Sequence, residues 1–399
     1  MKILVLTNKL PYPPRDGGSI ATLNMITGLR DAGNQVSCMA LNTTKHHFPL
    51  GEIPAELSGT IQFTGIPCDS TIRPLRMLLN LLFSRLPYIA ERFNSSAFGK
   101  ELTRILEAGA FDVIQLEGPY VGHYLGLIRE KSRALVAFRA HNVEHMIWRR
   151  KAENESSSLK RWYLSNMASR LELYEKEMIR RSDCLVAISQ GDEEILKAAR
   201  AGLPSITIPT GLSLKGYPVS GMPSPPSPFF IGALDWMPNQ EGLRWFLDHV
   251  MEPLAEAIPG ITVHVAGRNP PPRFAKHLEK EGIIYHGEVE DARQFMRANG
   301  IMVAPLLTGS GIRIKILEAM ALGRPVVTTP VGIEGIPARN GQEVMVAGDP
   351  ESFKDLIVRL VKEEKLASEV AFRARAFIQE NFDTFKLSSR LSRFFKEQV

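Results

Sequence analysis

Residues 304–335 read APLLTGSGIRIKILEAMALGRPVVTTPVGIEG and carry the clearest structural signal in the chain. The apolar run at 301–305 leads into a turn, TGSG, and then into IRIKILEAMALG, which has the apolar period of an amphipathic helix. The next run, PVVTT, is apolar on consecutive residues, as a strand buried on both faces must be. The stretch therefore predicts a strand–helix–strand unit of a parallel sheet.

The same alternation extends in both directions along the chain. Short apolar runs alternate with helix-length amphipathic stretches, which is typical of βαβ units, so we predict an α/β protein with two Rossmann-like halves. The predicted strands are 2–7, 35–41, 61–66, 112–116, 134–138, 184–188 and 205–208 in the first half, and 229–234, 261–266, 283–286, 301–305, 326–329 and 344–346 in the second.

The division into domains follows from one segment, GLSLKGYPVSGMPSPPSP at 211–228. Twelve of its 18 residues are Pro, Gly or Ser, a composition that disfavours both helices and central strands, so we interpret it as a linker. We therefore predict an N-terminal domain at 1–210 and a C-terminal domain at 229–380. The last residues, 381–399, are predicted to form a helix that packs back on the N-terminal domain.

Composition excludes several classes of protein. In the 399 residues, 44% are hydrophobic and 23% are charged, which excludes a disordered chain. The 48 Lys and Arg against 43 Asp and Glu are too small an excess to indicate a nucleic-acid partner. The three cysteines are far apart, which argues against a disulfide framework or zinc site. No apolar run is long enough to span a bilayer, so we expect a cytoplasmic protein.

The turn and helix at 309–318 predict an anion site. Gly309 and Gly311 allow backbone amides to approach a phosphate, and the start of a helix adds partial positive charge. Helix starts usually favour acidic residues, so Arg313 and Lys315 there indicate a bound diphosphate. Glu318 lies on the same helical face as Lys315 and can accept hydrogen bonds from ribose hydroxyls. The alternative is an ordinary helix with a solvated Lys–Glu pair.

Two further candidates lie in the first half of the chain. Gly17 and Gly18 precede a helix after the first strand, but the pattern DGGSIA differs from GxGxxG, which argues against a dinucleotide-dependent dehydrogenase. His141 follows a buried strand, where ligands bind in open α/β sheets. The sequence HNVEH differs from HExxH, so we expect no zinc there, and we expect a structural role for His145.

These segments closely resemble glycosyltransferase family 4, retaining transferases with the GT-B fold, and especially the sugar transferases of exopolysaccharide gene clusters. The matching motifs are YPPRDGGS, AHN, DCLVAIS, GALDWMPNQEGLRWF and GSGIRIKILEAMALGRPVVTTPVGIEG. The resemblance implies two Rossmann-like domains whose parallel sheets face each other across a cleft. Three positions depart from the family pattern: Ser310 replaces a glutamate, Ala233 replaces a common arginine, and GLS at 211–213 replaces GVD.

The resemblance also implies roles for individual residues. Glu318 binds ribose, Arg313 and Lys315 neutralise the diphosphate, and His141 faces the transferring sugar. Arg313 also replaces the positive charge lost at Ala233. Residues that approach the rest of the donor are Gly17 and Gly18 near the phosphates, with Gly309 and Gly311 in the glycine-rich turn and Gly332 and Glu334 near the sugar.

We therefore expect a hexosyltransferase that moves a sugar with retention from a nucleotide sugar to a glycan or lipid-linked saccharide, in exopolysaccharide or cell-surface polysaccharide synthesis. No Asp-x-Asp occurs, so we expect no metal and no cofactor, with charge on the leaving diphosphate stabilised by Arg313 and Lys315. The alternatives are a GT-B-type nucleotide-sugar epimerase and a non-catalytic protein that binds sugar nucleotides.

The segment 71–104 has six basic and two acidic residues among bulky apolar ones. It predicts peripheral contact with an anionic membrane, on the inner face of the cell membrane, where a lipid-linked acceptor would be met. The alternative is a pair of packed helices with solvated arginines.

Overall fold

The computed structural model of the protein describes residues 1–14, 16–218, 221–309 and 311–399. The chain forms two compact units. Unit 1 comprises Met1–Gly211 and Thr384–Val399, and unit 2 comprises Leu212–Asp383.

In its described residues, unit 1 contains a parallel sheet of seven strands: β1 (Lys2–Thr7), β2 (Gln35–Thr43), β3 (Gln62–Cys68), β4 (Val113–Glu117), β5 (Leu135–Ala140), β6 (Cys184–Ala187) and β7 (Ser205–Thr207). Their order is β3-β2-β1-β4-β5-β6-β7, with the chain crossing over beside β1, as in a Rossmann fold. Ile3 pairs with Val36 on one side and Val113 on the other, so β1 is an interior strand of the sheet, between β2 and β4. The strands predicted in this half are confirmed to within about two residues at most ends.

Helices cover both faces of this sheet. They are α1 (Gly17–Asp31), α2 (Ala55–Ser58), α3 (Pro74–Phe83), α4 (Tyr88–Glu91), α5 (Ser96–Ala108), α6 (Leu125–Lys131), α7 (Glu144–Glu153), α8 (Ser158–Arg181) and α9 (Gln190–Lys197), with the C-terminal helix α17 (Thr384–Gln398). Helix α17 packs against α1. A Cβ at Gly28 would lie 2.2 Å from Ser388 Oγ, so this close packing requires glycine.

Unit 2 contains, in its described residues, a second parallel sheet of six strands: β8 (Pro228–Ile231), β9 (Val263–Ala266), β10 (Ile283–Tyr285), β11 (Ile301–Ala304), β12 (Val326–Thr328) and β13 (Met345–Val346). Their order is β10-β9-β8-β11-β12-β13. Its helices are α10 (Met237–His249), α11 (Met251–Ala257), α12 (Pro272–Ala275), α13 (Ala292–Ala298), α14 (Ile314–Ala321), α15 (Pro350–Lys362) and α16 (Glu364–Asn381). The prediction of two Rossmann-like halves with parallel sheets is confirmed.

The segment predicted as a linker, 211–228, is not a separate connector. Leu212 and Tyr217 are buried in the core of unit 2, and β8 already begins at Pro228. Composition misled here because turn-forming residues can also line a packed loop when a few large side chains anchor it. Val219 and Ser220, within the same segment, lie outside the described residues. None of the described helices combines the length and the hydrophobicity that a membrane span requires.

Candidate functional site

The glycine-rich turn of unit 2 brings Arg313 against the chain that precedes it. Strand β11 ends at Ala304, and Arg313 occupies the N-cap position of α14. Gly309 and Gly311 have φ values of 120° and 79°, a region that favours glycine. A Cβ at Gly309 would lie 2.9 Å from Arg313 Nη2, so the missing side chain makes room for the guanidinium. Ser310, which lies between these two glycines, is outside the described residues.

Lys315 lies in the first turn of α14, two residues after Arg313. Its Nζ donates to Asn239 Oδ1 at 2.9 Å and lies 4.4 Å from the centre of the Phe230 ring. Burial, followed by the nearby charge of Arg313, lowers the pKa of Lys315 to about 7. In the described part of the chain no carboxylate lies within ion-pair distance of this amine. The Lys315 amine is therefore a buried basic group whose contacts, Asn239 and the Phe230 ring, carry no negative charge.

Glu318 is held by a residue that sequence reasoning did not find. The Tyr217 hydroxyl donates to Glu318 Oε1 at 2.6 Å, and the guanidinium of Arg293 lies 4.8 Å from the centre of the Tyr217 ring. Burial raises the pKa of Glu318, although the Tyr217 hydrogen bond and the Arg293 charge oppose this shift. Tyr217 lies in the segment that composition assigned to a linker, so the sequence offered no signal for it.

The predicted loop after β12 lies beside the same turn. The Gly332 N–H donates to Thr329 Oγ1 at 3.0 Å, and a Cβ at Gly332 would clash with Thr328 Oγ1. Burial lowers the pKa of Arg313, while the charge of Glu334 opposes that shift, which places Glu334 near the guanidinium. The carbonyl of Ala233, which stands where many relatives of the resembled family have arginine, accepts from Asn239 Nδ2 at 2.9 Å.

In unit 1, His141 lies in a charged cluster at the carboxyl ends of β4 and β5. Glu117 Oε2 accepts from His141 Nε2 at 2.6 Å, from Arg139 Nη1 at 2.7 Å and from Thr22 Oγ1 at 3.0 Å. Glu117 and Arg139 are fully buried, whereas the His141 ring is one-fifth exposed. Glu117 therefore holds the imidazole by Nε2, with Nδ1 as the remaining ring nitrogen.

The pKa of Glu117 is well below its usual value. Burial alone would raise it, but the charge of Arg139, with the charge and hydrogen bond of His141, outweighs burial. Glu144 behaves in the opposite way: burial and the charge of Glu175 raise its pKa, although the Tyr120 hydroxyl donates to it at 2.7 Å. One carboxyl group at this site is thus held ionised and the other is biased toward its protonated form.

These groups line a cavity of about 720 Å³ within unit 1, here called the His141 cavity. It is formed by the carboxyl ends of several strands and the start of α1; its polar and charged lining includes Lys9, Thr22, Lys45, Arg92, Glu117, Tyr120, His141 and Glu144. Gly18 also lines it, whereas Gly17 is the first residue of α1. Asp16 caps that helix, accepting from the Ser19 N–H at 3.0 Å and from Lys9 Nζ at 2.5 Å.

His145, by contrast, has a structural role. Its Nδ1 and its backbone N–H donate to Glu175 Oε2 at 2.7 and 2.9 Å, and the Glu144 N–H donates to the other oxygen. Glu175 therefore satisfies the start of helix α7 from within helix α8.

Sequence reasoning missed Glu117 although a signal was present. It ends a buried strand and precedes a glycine, VIQLEG, so the strand-end rule that selects His141 selects it too. Arg139 and Asn239 gave no such signal, because their roles depend on side chains distant in sequence.

Two family models match the chain. One, described as Glycosyltransferase Family 4, matches residues 15–215, half of the chain, and the other, described as Glycosyl transferases group 1, matches residues 225–363.

Among characterised and uncharacterised relatives, a 44.6 kDa protein in the cps region of Klebsiella pneumoniae is 26% identical over 99% of both chains. The lipopolysaccharide core biosynthesis mannosyltransferase LpsB of Rhizobium meliloti is 26% identical over 52% of this chain and 64% of its own.

Solved structures show the same fold at low identity. HepE of Anabaena in complex with UDP covers the whole of both chains with a TM-score of 0.70 and 15% identity. Sucrose-phosphate synthase of Thermosynechococcus elongatus also has a TM-score of 0.70 and 15% identity, covering 100% of this chain and 99% of its own. The two units therefore have the GT-B architecture.

Proposed function

Because the chain belongs to glycosyltransferase family 4 and is a glycosyltransferase, we propose that its donor is a nucleoside diphosphate hexose bound by unit 2. The observation that carries the proposal is the amine of Lys315, which lies beside Arg313 at the start of α14 with its pKa lowered to about 7. A diphosphate supplies the negative charge that this amine lacks. HepE was crystallised with UDP and with UDP-glucose, and LpsB is named a mannosyltransferase, which supports a nucleotide hexose.

The proposed reaction is transfer with retention of anomeric configuration. The bond between the anomeric carbon and the diphosphate oxygen breaks, and a bond from that carbon to an acceptor hydroxyl oxygen forms on the same face. The hydroxyl proton passes to the leaving diphosphate. Arg313 and Lys315 stabilise the charge that develops on the diphosphate, Glu318 binds the ribose hydroxyls, and His141 acts on the transferring sugar.

We propose that this reaction needs no metal ion or other cofactor. Support comes from the two cations of α14, which supply the charge that a divalent metal provides in other transferases, and from the lack of an Asp-x-Asp motif in the sequence. Initial rates in EDTA should equal those in magnesium or manganese. Activity that disappears in EDTA and returns with either metal would contradict this part of the proposal.

The function is tested by calorimetry against a panel of nucleotide sugars, followed by rate measurements with an acceptor. The His141→Ala variant should bind nucleotide as the wild type does but turn over more slowly. Lys315→Ala should lose nucleotide affinity. Incubation of donor alone separates the alternatives: a new sugar isomer would indicate an epimerase, and binding without turnover under all acceptor conditions would indicate a non-catalytic protein.

The proposal extends to the place where the acceptor is met. Helix α3 leaves Leu75, Leu78, Leu82 and Phe83 exposed, and Arg73, Arg76 and Arg85 lie within or beside it. An exposed apolar helix face with basic flanks fits the surface of an anionic membrane. Helix α5, in the same predicted segment, instead packs into the core through Phe98 and Leu102. Co-flotation with phosphatidylglycerol vesicles should be lost in Leu78→Gln/Leu82→Gln, while neutral vesicles should bind neither protein.

A further inference from the structure

We propose that Arg92 binds the phosphate of the acceptor, and that the acceptor is a saccharide joined through phosphate to a lipid. This inference rests on the proposed transferase function and narrows its acceptor to one chemical class. It rests on two cavities of unit 1 that are both lined by Arg92, and on the Nε of Arg92, which is buried without a hydrogen-bond partner.

Arg92 lies at the junction of the two cavities. It lines the His141 cavity and also a second cavity of about 510 Å³ beneath helix α3, here called the α3 cavity. Thr71 is likewise common to both, so the two spaces adjoin over more than one residue. A molecule lying across both cavities would therefore pass the guanidinium of Arg92.

Among the residues that the structure describes, no carboxylate forms an ion pair with the Arg92 guanidinium. It lies 4.7 Å from the centre of the Phe93 ring, and its Nε is buried without a hydrogen-bond partner. The carboxylate next to it in sequence, Glu91, instead accepts from Asn80 Nδ2 at 2.8 Å and from the Ser84 hydroxyl. A buried, unsatisfied donor is costly unless a ligand completes it, and the fork of a guanidinium matches a phosphate group.

The α3 cavity opens onto an apolar surface. Leu79 and Phe83 line it, and they are 48% and 82% exposed. Helix α3 is nevertheless firmly attached, because buried Asn80 donates to the Leu86 carbonyl at 2.9 Å and Arg170 Nη2 donates to the same carbonyl at 2.6 Å. The exposed face therefore belongs to an anchored helix and is available to an acyl or isoprenoid chain.

The three features occur in the order that a lipid-linked sugar would need. An apolar tail would leave past α3, its phosphate would meet Arg92, and its sugar would lie in the His141 cavity. A free glycan has neither the tail nor the phosphate, so it would leave both Arg92 and the apolar mouth of the α3 cavity unused.

The test measures binding of farnesyl diphosphate, with farnesol and inorganic pyrophosphate as the tail alone and the phosphate alone. Saturating UDP is present throughout, so that the probes do not compete for the nucleotide site. The variants are Arg92→Gln, which keeps most of the side chain, Arg92→Lys, which keeps the charge, and Arg85→Ala as the matched control. Arg85 is an exposed arginine of the same segment that lines neither cavity.

We expect Arg92→Gln to weaken farnesyl diphosphate binding about 10- to 150-fold, the range for a lost charge-assisted hydrogen bond. Arg92→Lys should recover part of this loss, and Arg85→Ala should bind within about twofold of the wild type. Farnesol should bind more weakly than the diphosphate and be insensitive to Arg92→Gln.

Equal affinity of the wild type and Arg92→Gln for farnesyl diphosphate would overturn the proposal. So would equal affinity of the wild type for farnesol and for the diphosphate, or no binding of the diphosphate at all. A separate titration of wild type and Lys315→Ala with UDP reports on the proposed function, because Lys315 belongs to unit 2 and Arg92 to unit 1. If UDP bound the wild type and Lys315→Ala equally while farnesyl diphosphate binding still depended on Arg92, only the proposed donor site would be rejected.

Discussion

Nucleotide binding should take up a proton at Lys315. In the absence of a ligand, burial and the charge of Arg313 lower the pKa of this amine to about 7. The other groups that face it, Asn239 of α10 and the Phe230 ring of β8, carry no charge. A bound diphosphate would favour the ammonium form and raise the pKa again. Binding should therefore be strongest below the pKa of the free amine and weaken as the pH rises above it.

The size of the effect follows from the free pKa. At pH 8, about 0.9 of the Lys315 amines are neutral in the unliganded protein, so binding should take up about 0.9 proton. Between pH 7 and pH 9 the dissociation constant should rise about 50-fold when the pKa in the complex lies well above 9, so that the bound amine stays protonated throughout. The terminal phosphate of UDP titrates near pH 6 and is fully ionised over the upper part of this range.

Calorimetry measures both quantities. Titrations of UDP at pH 8 in HEPES and in Tris buffer, neither of which competes as a phosphate would, differ in apparent enthalpy. The difference is the number of protons taken up multiplied by the difference between the ionisation enthalpies of the two buffers. Lys315→Arg is the matched control, since a guanidinium stays protonated throughout. It should retain binding of UDP at pH 9 and show no proton uptake attributable to position 315.

Identical enthalpies in the two buffers for the wild type would refute the argument. So would an unchanged pH profile in Lys315→Arg, because the proton would then enter at another group. If Lys315→Ala kept both the affinity and the pH dependence, the diphosphate would have to bind elsewhere in the protein.

Three further outcomes follow from the buried contacts. Arg139→Met should destabilise unit 1 by about 3–5 kcal/mol in urea unfolding, because it leaves Glu117 buried without the charge at 2.7 Å, and an unchanged midpoint would contradict this. Glu318→Gln should weaken UDP binding about 10- to 150-fold but leave binding of inorganic pyrophosphate unchanged, because pyrophosphate has no ribose; equal losses for both would place Glu318 at the phosphates. Glu175→Ala should lower the free energy of unfolding by about 1.5–3 kcal/mol, because the N–H groups at the start of α7 lose their acceptor, and should leave the turnover of folded enzyme unchanged. The control Glu172→Ala, on the same helix, should change stability little, and reduced turnover in Glu175→Ala would indicate a role beyond structure.

The strands were predictable because both sheets are parallel and covered on both faces. Runs such as ILVL in β1 and IMVA in β11 are apolar on consecutive residues, as strands buried on both faces of a sheet are. The ends were less certain: β3 was predicted at 61–66 and lies at Gln62–Cys68, a segment whose side chains are mostly half-buried. The weaker burial gives the sequence a weaker pattern at those positions.

The sites were predictable where a single segment contains the chemistry. Arg313, Lys315 and Glu318 follow one turn and share one helix start, so spacing alone places them together. The cluster around His141 depends instead on pairing between strands. Glu117 pairs with Arg139 across β4 and β5, a register that local sequence does not specify. Tyr217 is still more remote, since it lies 101 residues from Glu318.

The two units differ in whether a buried charge has an oppositely charged partner within the protein. In unit 1, Arg139 neutralises Glu117, so the group that orients His141 is complete before any ligand binds. In unit 2, Lys315 is buried beside another cation, and burial first, then the charge of Arg313, lowers its pKa, so the ammonium form is unfavourable without an anion. Such a site is stabilised when a diphosphate binds, and it loses that stabilisation when the diphosphate leaves. Charge is thus preorganised at the group in unit 1 that is proposed to act on the sugar. In unit 2, where the nucleotide is proposed to bind, the Lys315 amine has no carboxylate partner among the described residues.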